Sequence, residues 1–286
     1  MATTTSTIAS LIPEIVAEAM FVASEASIMR NMVKNYSIPL NAGNIINVPI
    51  YPTQTAVALT EGTDITGNAE TGLANISTSV ATITMGEVGI MTRVTDLARD
   101  SAQSDVIADV GRLFGEAIAV KMDKDLTALF DSFTTNVLGN SATQITPADI
   151  FKGLAKLRAL GVPSQDLFCV LHPEIAYDLK ATLTNTFSNP AAGLLQNEAM
   201  MSGFVGMIAG IPLFETSNFT AVDAGDWKGG IFHRDALGLA IMKDIRIEVQ
   251  RDASLRADEL VATATYGVAV LREQYGVELA FDSSIA

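Results

Sequence analysis

The longest regular pattern in the chain runs from Ser104 to Phe133. Apolar residues fall at Ile107, Val110, Phe114, Ile118, Met122, Leu126, Leu129 and Phe133, in steps of three or four. That spacing puts them on one stripe of a helix. Asp105, Asp109, Arg112, Glu116, Lys121, Lys124, Asp125 and Asp131 occupy the other side. Ser104 is placed to cap the helix, and Asp105 lies on the first turn, where the helix dipole favours an anion. No proline interrupts the run. About 29 residues at about 1.5 Å each make a rod about 43 Å long. A rod of that length needs something extended to lie against.

The pattern elsewhere is mixed. Pro13 and Glu14 predict a helix start, and the stripe Ile15, Ala19, Val22, Ala26, Met29 and Val33 carries the helix to about Asn35. Ile45 to Tyr51 reads as a strand closed by Pro52, and Val80 to Val94 as a second. Between them, residues 53–79 are dominated by Thr, Ala, Gly and Asn, with Gly62, Gly67 and Gly72 as punctuation. β-branched threonines suit extended chain and glycines suit turns, so this is a hairpin arm projecting from a sheet.

Past the long helix, Thr146-Pro147 opens another helix bearing Ile150, Leu154 and Leu157 and ending at Gly161. Asp166 to Leu171 predicts a buried strand, and Pro173-Glu174 starts a helix with Ile175, Leu179 and Leu183. Residues 185–203 read as loop, and Val205 to Glu215 carries strand around Gly210-Ile-Pro212. Gly229 to Phe232 and Ala236 to Met242 read as a hairpin across Arg234-Asp235. Alternating Ile245, Ile247 and Val249, then Leu260 to Leu271 and Val277 to Phe281, complete the strands. Helices and strands are interspersed irregularly, a mixed chain of α+β class.

Composition changes this picture in two ways. The chain is 49% hydrophobic and only 17% charged, with mean hydropathy +0.32. About 25% charged is usual, so either the core is very large or partners cover surface. The net charge of −14 excludes the basic footprint of a protein that grips nucleic acid. The start Met1 to Ser10 is rich in Thr and Ser, without the basic and apolar regions of a signal peptide. The most apolar window, Gly203 to Phe214, is too short to span a membrane and holds Pro212.

No pattern carries chemistry. His172 and His233 are far apart and have no ligand spacing. Gly203, Gly206 and Gly210 fit neither a dinucleotide nor a phosphate loop. There is no GxSxG. Cys169, the single cysteine, sits in an apolar strand where a thiol is inert. Asp123-Lys124-Asp125 points three ways around a helix and reads as a solvated or salt-bridged face. The residues call for no cofactor and no metal.

Several segments together resemble the major capsid proteins of tailed double-stranded DNA bacteriophages, the Hong Kong 97-like fold. Gly43-Asn-Ile-Ile-Asn-Val-Pro49 is similar to the strand entering that family's extended loop, and Ala58-Leu-Thr-Glu-Gly62 to the loop. Val170-Leu-His-Pro-Glu174 resembles the first strand and helix of the axial domain. Ile208-Ala-Gly-Ile-Pro212 with Ser217-Asn218 resembles its later strand. Tyr266-Gly267 to Arg272 and Gly276-Val277 resemble the closing strands. Their order is the specific part, and it covers nearly the whole chain.

The resemblance implies an N-terminal arm at 1–37, an extended loop with its flanking strands at 38–95 and a peripheral domain with a spine helix at 96–162. It places an axial domain at 163–243 and closing peripheral strands at 244–286. It implies a non-enzymatic shell subunit forming pentamers and hexamers in a virion, assembled in the bacterial cytoplasm. Expected partners are other copies, a separate scaffolding protein, a portal protein, a decoration protein where the phage has one, and packaged DNA touched only non-specifically, with no membrane. Leu59, Glu61, Gly62, Ile65, Leu73 and Ile76 of the loop and Ile15, Val22 and Met29 of the arm become the expected inter-subunit contacts. An encapsulin compartment of the same fold is the alternative, and an oligomeric α+β enzyme a remoter one. Some of the family link an extended-loop lysine covalently to a neighbour. Here no lysine lies between Lys34 and Lys121, so no such link is expected.

Overall fold

The structure is a computed structural model that describes residues 27–39, 43–51, 61–62, 78–97, 106–140, 142–186, 206–219 and 226–285. For residues 106–108 and 183–186 it describes the backbone alone. The strands are β1 (Lys34–Ser37), β2 (Ile45–Ile50), β3 (Ser79–Thr84), β4 (Gly86–Thr95), β5 (Val137–Leu138), β6 (Leu167–Leu171), β7 (Met207–Ile208), β8 (Ile211–Glu215), β9 (Asp226–His233), β10 (Leu237–Asp252), β11 (Ala257–Val270) and β12 (Gly276–Asp282). The helices are α1 (Val106–Ala128), α2 (Pro147–Ala159) and α3 (Pro173–Thr186).

The strands form a four-stranded sheet ordered β1-β10-β11-β4, a six-stranded sheet ordered β5-β12-β9-β6-β8-β7, and the two-stranded ribbon β2-β3. In the four-stranded sheet β1 runs parallel to β10, and the other pairs are antiparallel. The six-stranded sheet mixes parallel pairs, β5 with β12 and β6 with β8, with antiparallel ones.

The predicted stripe is why α1 lies where it does. Val110, Phe114, Ile118, Met122 and Leu126 are buried in one cluster with Leu239, Ile245, Ile247, Leu260, Ala262 and Ala264 of the four-stranded sheet. Beyond Ala128 the chain tightens into a 3-10 turn, Leu129–Ser132. Three residues per turn bring positions i and i+3 to the same side. Phe130 and Phe133 therefore both turn inward, with ring centroids 6.1 Å apart, and Leu129 is left half-buried. Phe130 also meets Phe232 of β9 at 5.3 Å, so this aromatic group joins the helix end to the six-stranded sheet.

On the six-stranded sheet, alternate residues face opposite ways. Cys169 and Ile231 look toward α2 and α3, while Val170 and Phe232 look toward the aromatic group. Ile150, Leu154, Leu157, Ile175 and Leu179 of the two helices close the first side. α2 starts where Thr146 donates from N–H and Oγ1 to Asp149, at 3.1 and 2.6 Å, and it ends at Gly161, whose φ is +74°. α3 is tied to the chain's tail: buried Asp178 accepts from the Ser284 N–H at 2.9 Å and from the Ser284 hydroxyl.

Three expectations are corrected. The N-terminal helix does not continue to Asn35, because Lys34–Ser37 pairs with Gly238–Ile241 as β1. The strand read at 80–94 is two, broken at Met85, with β3 in the ribbon and β4 in the sheet. β9 and β10 are not a hairpin, since Arg234–Ala236 passes the chain from one sheet to the other. Residues 237–243 belong to the four-stranded sheet, and 276–282 lie inside the six-stranded one.

Candidate inter-subunit surface

The ribbon packs one face on the body of the chain, through Ile46, Val48, Ala81 and Ile83, and leaves the other exposed. β2 and β3 pair from Ile45↔Thr84 to Ile50↔Ser79. In a strand with one buried face, apolar and polar residues alternate. β2 reads Ile-Ile-Asn-Val-Pro-Ile, apolar on both faces, and alternates only between exposed and half-buried positions. Ile45, Val80 and the following Tyr51 are 49%, 55% and 60% exposed. Such a ribbon is marginal alone, and its apolar surface is unsatisfied within one chain.

Its root is firmly seated. Ile83 is fully buried with Ile38, Met85, Ala240 and Leu271. The seat requires two residues without side chains. A Cβ on Gly267 would stand 2.3 Å from the Thr84 carbonyl oxygen, and one on Gly238 3.1 Å from the Ile83 methyl. At Gly267 backbone is pressed on backbone, so only glycine fits, while at Gly238 the Ile83 and Leu271 side chains would have to shift. At the ribbon's other end an open groove is lined by Ile50, Val80, Leu129, Ser132, Val270, Leu271 and Glu273.

The N-terminal segment is fixed by a different device. Asp123, on α1, is fully buried. It accepts from the Ser27 hydroxyl at 2.8 Å, the Ile28 N–H at 3.1 Å and the Met29 N–H at 3.3 Å. These donors open the 3-10 turn Met29–Asn31, so a residue about a hundred positions away acts as its cap. Burial holds the Asp123 carboxyl above its usual pKa. The expectation of a solvated or salt-bridged Asp123 is therefore wrong. Its neighbours do behave that way, with Lys121 bonded to Asp125 at 2.6 Å and Asp125 accepting from the Tyr266 hydroxyl at 2.8 Å.

Of the expected contact residues, Glu61 and Gly62 lie exposed in a turn where Gly62 has φ +80°. Met29 is fully buried in the chain's own core. Its partners are intramolecular, so it leaves the expected surface. Leu59, Ile65, Leu73, Ile76, Ile15 and Val22 lie outside the described residues. Ile45, Tyr51 and Val80 of the ribbon, exposed and apolar, fall outside the expected contacts. The readable signal was the two-faced apolar run of β2.

The remaining polar groups serve packing. His172 stacks on Trp227 with ring centroids 3.5 Å apart and an interplanar angle of 10°, and the Trp227 indole N–H donates to Glu174 at 2.6 Å. Burial holds His172 below its usual pKa. His233 accepts from the Asp235 N–H at 3.1 Å. Burial pushes the Cys169 thiol up to about 12. Among the described residues no three His, Cys, Asp or Glu side chains gather as a metal site would need, and no helix is long and apolar enough to cross a membrane.

A family model described as phage capsid protein matches residues 79–279, from the ribbon's second strand to β12. The chain belongs to the phage capsid protein family. It is a capsid shell protein with the Hong Kong 97-like α+β fold. A curated set of proteins contains no sequence match to this capsid protein. Among solved structures it is similar to one from Mycobacterium phage Che8, with 20% identity over 88% of this chain and 90% of that one and a TM-score of 0.66. The head structure of Helicobacter pylori bacteriophage KHP40 matches at 14% identity, 90% and 91% coverage and a TM-score of 0.68. The holo-SrpI encapsulin complex from Synechococcus elongatus matches at 14% identity, 87% and 86% coverage and a TM-score of 0.61.

Proposed function

We propose that copies of this capsid protein assemble as pentamers and hexamers into the icosahedral shell around a tailed phage's DNA, without catalysing a reaction. The observation that carries this is the family match over 79–279, on a fold whose seated ribbon exposes Ile45, Tyr51 and Val80. Contact with neighbours runs through the ribbon, Glu61 and Gly62, the loop residues Leu59, Ile65, Leu73 and Ile76, and Ile15 and Val22 of the arm. Residues 1–37 serve as the arm, 38–95 as the extended loop with its flanking strands, 96–162 and 244–286 as the peripheral domain, and 163–243 as the axial domain. A separate scaffolding protein, a portal and, where the phage has one, a decoration protein complete the assembly, which takes place in the host cytoplasm. A net charge of −14 suits a wall that touches the genome without gripping it.

Negative-stain microscopy of the purified protein tests this directly. Closed shells, or the pentamers and hexamers that build them, are expected. Discrete dimers or tetramers at every concentration refute it. The encapsulin likeness supports a second reading, a protein-filled compartment. DNA recovered from particles purified out of infected cells supports the phage shell, and a co-purifying enzyme in place of DNA supports the compartment.

A further inference from the structure

β4 is the outer strand of the four-stranded sheet, and among the described residues no strand pairs with its outer edge over residues 86–94. It is long and regular. Ten residues match β11 one for one, from Gly86↔Tyr266 to Thr95↔Ala257. Proteins protect such edges with proline, bulges or inward-pointing charges. β4 contains no proline, and its register with β11 is unbroken. Its odd-numbered residues, Glu87, Gly89, Met91 and Arg93, form the exposed face, while Val88 and Val94 pack against the core. Ile90 and Met91 remain 36% and 48% exposed. A ladder edge with apolar side chains beside it is built to accept another strand.

We infer that the occupant is β4 of a second copy, laid antiparallel across a two-fold axis with Ile90 opposite Ile90. The sequence is self-complementary in that register. Glu87 falls opposite Arg93 of the second copy, and the symmetry makes the pair twice. Gly89 falls opposite Met91, a gap opposite a long side chain, and Val88 opposite Thr92. Gly89 has reason to stay bare, because a Cβ there would lie 3.1 Å from the Ala262 carbonyl oxygen. Arg93 keeps its Nε on Glu259 at 2.6 Å, yet its side chain is 57% exposed and still able to reach across. Sliding the register by one residue sets an exposed face against a core face. Sliding it by two sets Glu87 against Met91 or Thr95 and removes both charge pairs. The contact is isologous, as a two-fold interface must be, and it joins two four-stranded sheets into one continuous sheet. The inference rests on the shell reading, which brings many copies together.

A cysteine at the symmetry centre tests it. Directly opposed residues in an antiparallel pair lie within disulfide reach. Ile90→Cys particles, oxidised and run without reductant, are expected to give a band at twice the 30.2 kDa chain mass. The unsubstituted protein gives none, since its one thiol, Cys169, is fully buried. Glu87→Lys, added to Ile90→Cys, sets two cations against each other at each pair and slows dimer formation severalfold at low salt. Ile90→Cys particles that stay monomeric in the gel overturn the pairing and leave the shell reading standing. If the unsubstituted protein forms no particles at all, the shell reading itself fails. Should Ile90→Cys not assemble, amide exchange in the unsubstituted protein decides: protection across 86–94 that rises at least tenfold on assembly supports the contact, and unchanged exchange overturns it.

Discussion

Replacing Asp123 by alanine is the sharpest test of how the N-terminal segment is held. The carboxylate satisfies the Ser27 hydroxyl and the Ile28 and Met29 N–H groups, and it does so from a fully buried position. Removing it leaves these donors without a partner, at about 1–3 kcal/mol for each one kept from water. Ser27 and Met29 are buried and Ile28 only half-buried, so water reaches one of the three and the net loss is about 3 kcal/mol. For a chain of this size that is about 6–12 °C in Tm. Urea unfolding of unassembled protein, followed by its one tryptophan, measures it.

Asp123→Asn separates geometry from charge. The retained oxygen keeps Ser27 and Met29, which both use Oδ1, while the new NH2 faces the Ile28 N–H. About half the loss is expected. Asp123 has a folded pKa above its unfolded value. The proton-linked part of its contribution is therefore full below the unfolded pKa of about 3.9 and is lost as pH rises through the folded pKa, while the accepted hydrogen bonds remain. The lead of the unsubstituted protein over Asp123→Asn should accordingly shrink with rising pH. An Asp123→Ala protein within 1 kcal/mol of the parent at neutral pH refutes the capping role.

The remaining predictions concern the core, the seat and the gel. Leu126→Asp, which buries an unpaired charge at a fully buried site, should abolish soluble folded protein at a cost of several kcal/mol; Lys124→Ala, on the exposed side, should stay within about 0.5 kcal/mol of the parent, and equal solubility of the two shows the faces to be misassigned. Gly267→Ala should destabilise by about 1–3 kcal/mol through overpacking against Thr84, whereas Gly86→Ala, with open space around it, should be near neutral in a thermal melt. Particles boiled in SDS with reductant should run as one band at 30.2 kDa, because no lysine lies between Lys34 and Lys121; a ladder would reveal a covalent link.

Local periodicity made the core of the fold legible. The stripe from Val110 to Leu126 repeats strictly enough to fix α1 and its buried side, and Thr146-Pro147 and Gly161 mark both ends of α2. Periodicity could not say which sheet a strand joins. β9 and β10 look like neighbours across Arg234-Asp235, yet they part there, because pairing is settled by distant strands. β1 was hidden for a related reason: Met29 and Val33 fit a helical spacing, but the ladder with β10 decides the backbone of Lys34–Ser37. Asp123 was misread because its partners lie over ninety residues away. Phe130 follows Leu126 at the stripe's own spacing of four, but a stripe read through Leu129 passes it by. At the contact surface, the apolar run of β2 was visible, but its exposure was not.

The glycine seat under β3 makes the ribbon a lever. Ile83 is the anchor, held from both sides by residues that have no side chain to give way. The ribbon's direction is thus set by the plane of the four-stranded sheet, not by flexible side chains. Six residues of β2 reach about 20 Å, so a tilt of about 10° at the root carries the far end about 3.5 Å. A slight change in the sheet's attitude is thereby converted into a displacement of about one strand-to-strand hydrogen bond. Ribbon and sheet thus turn as one piece, with no hinge between them.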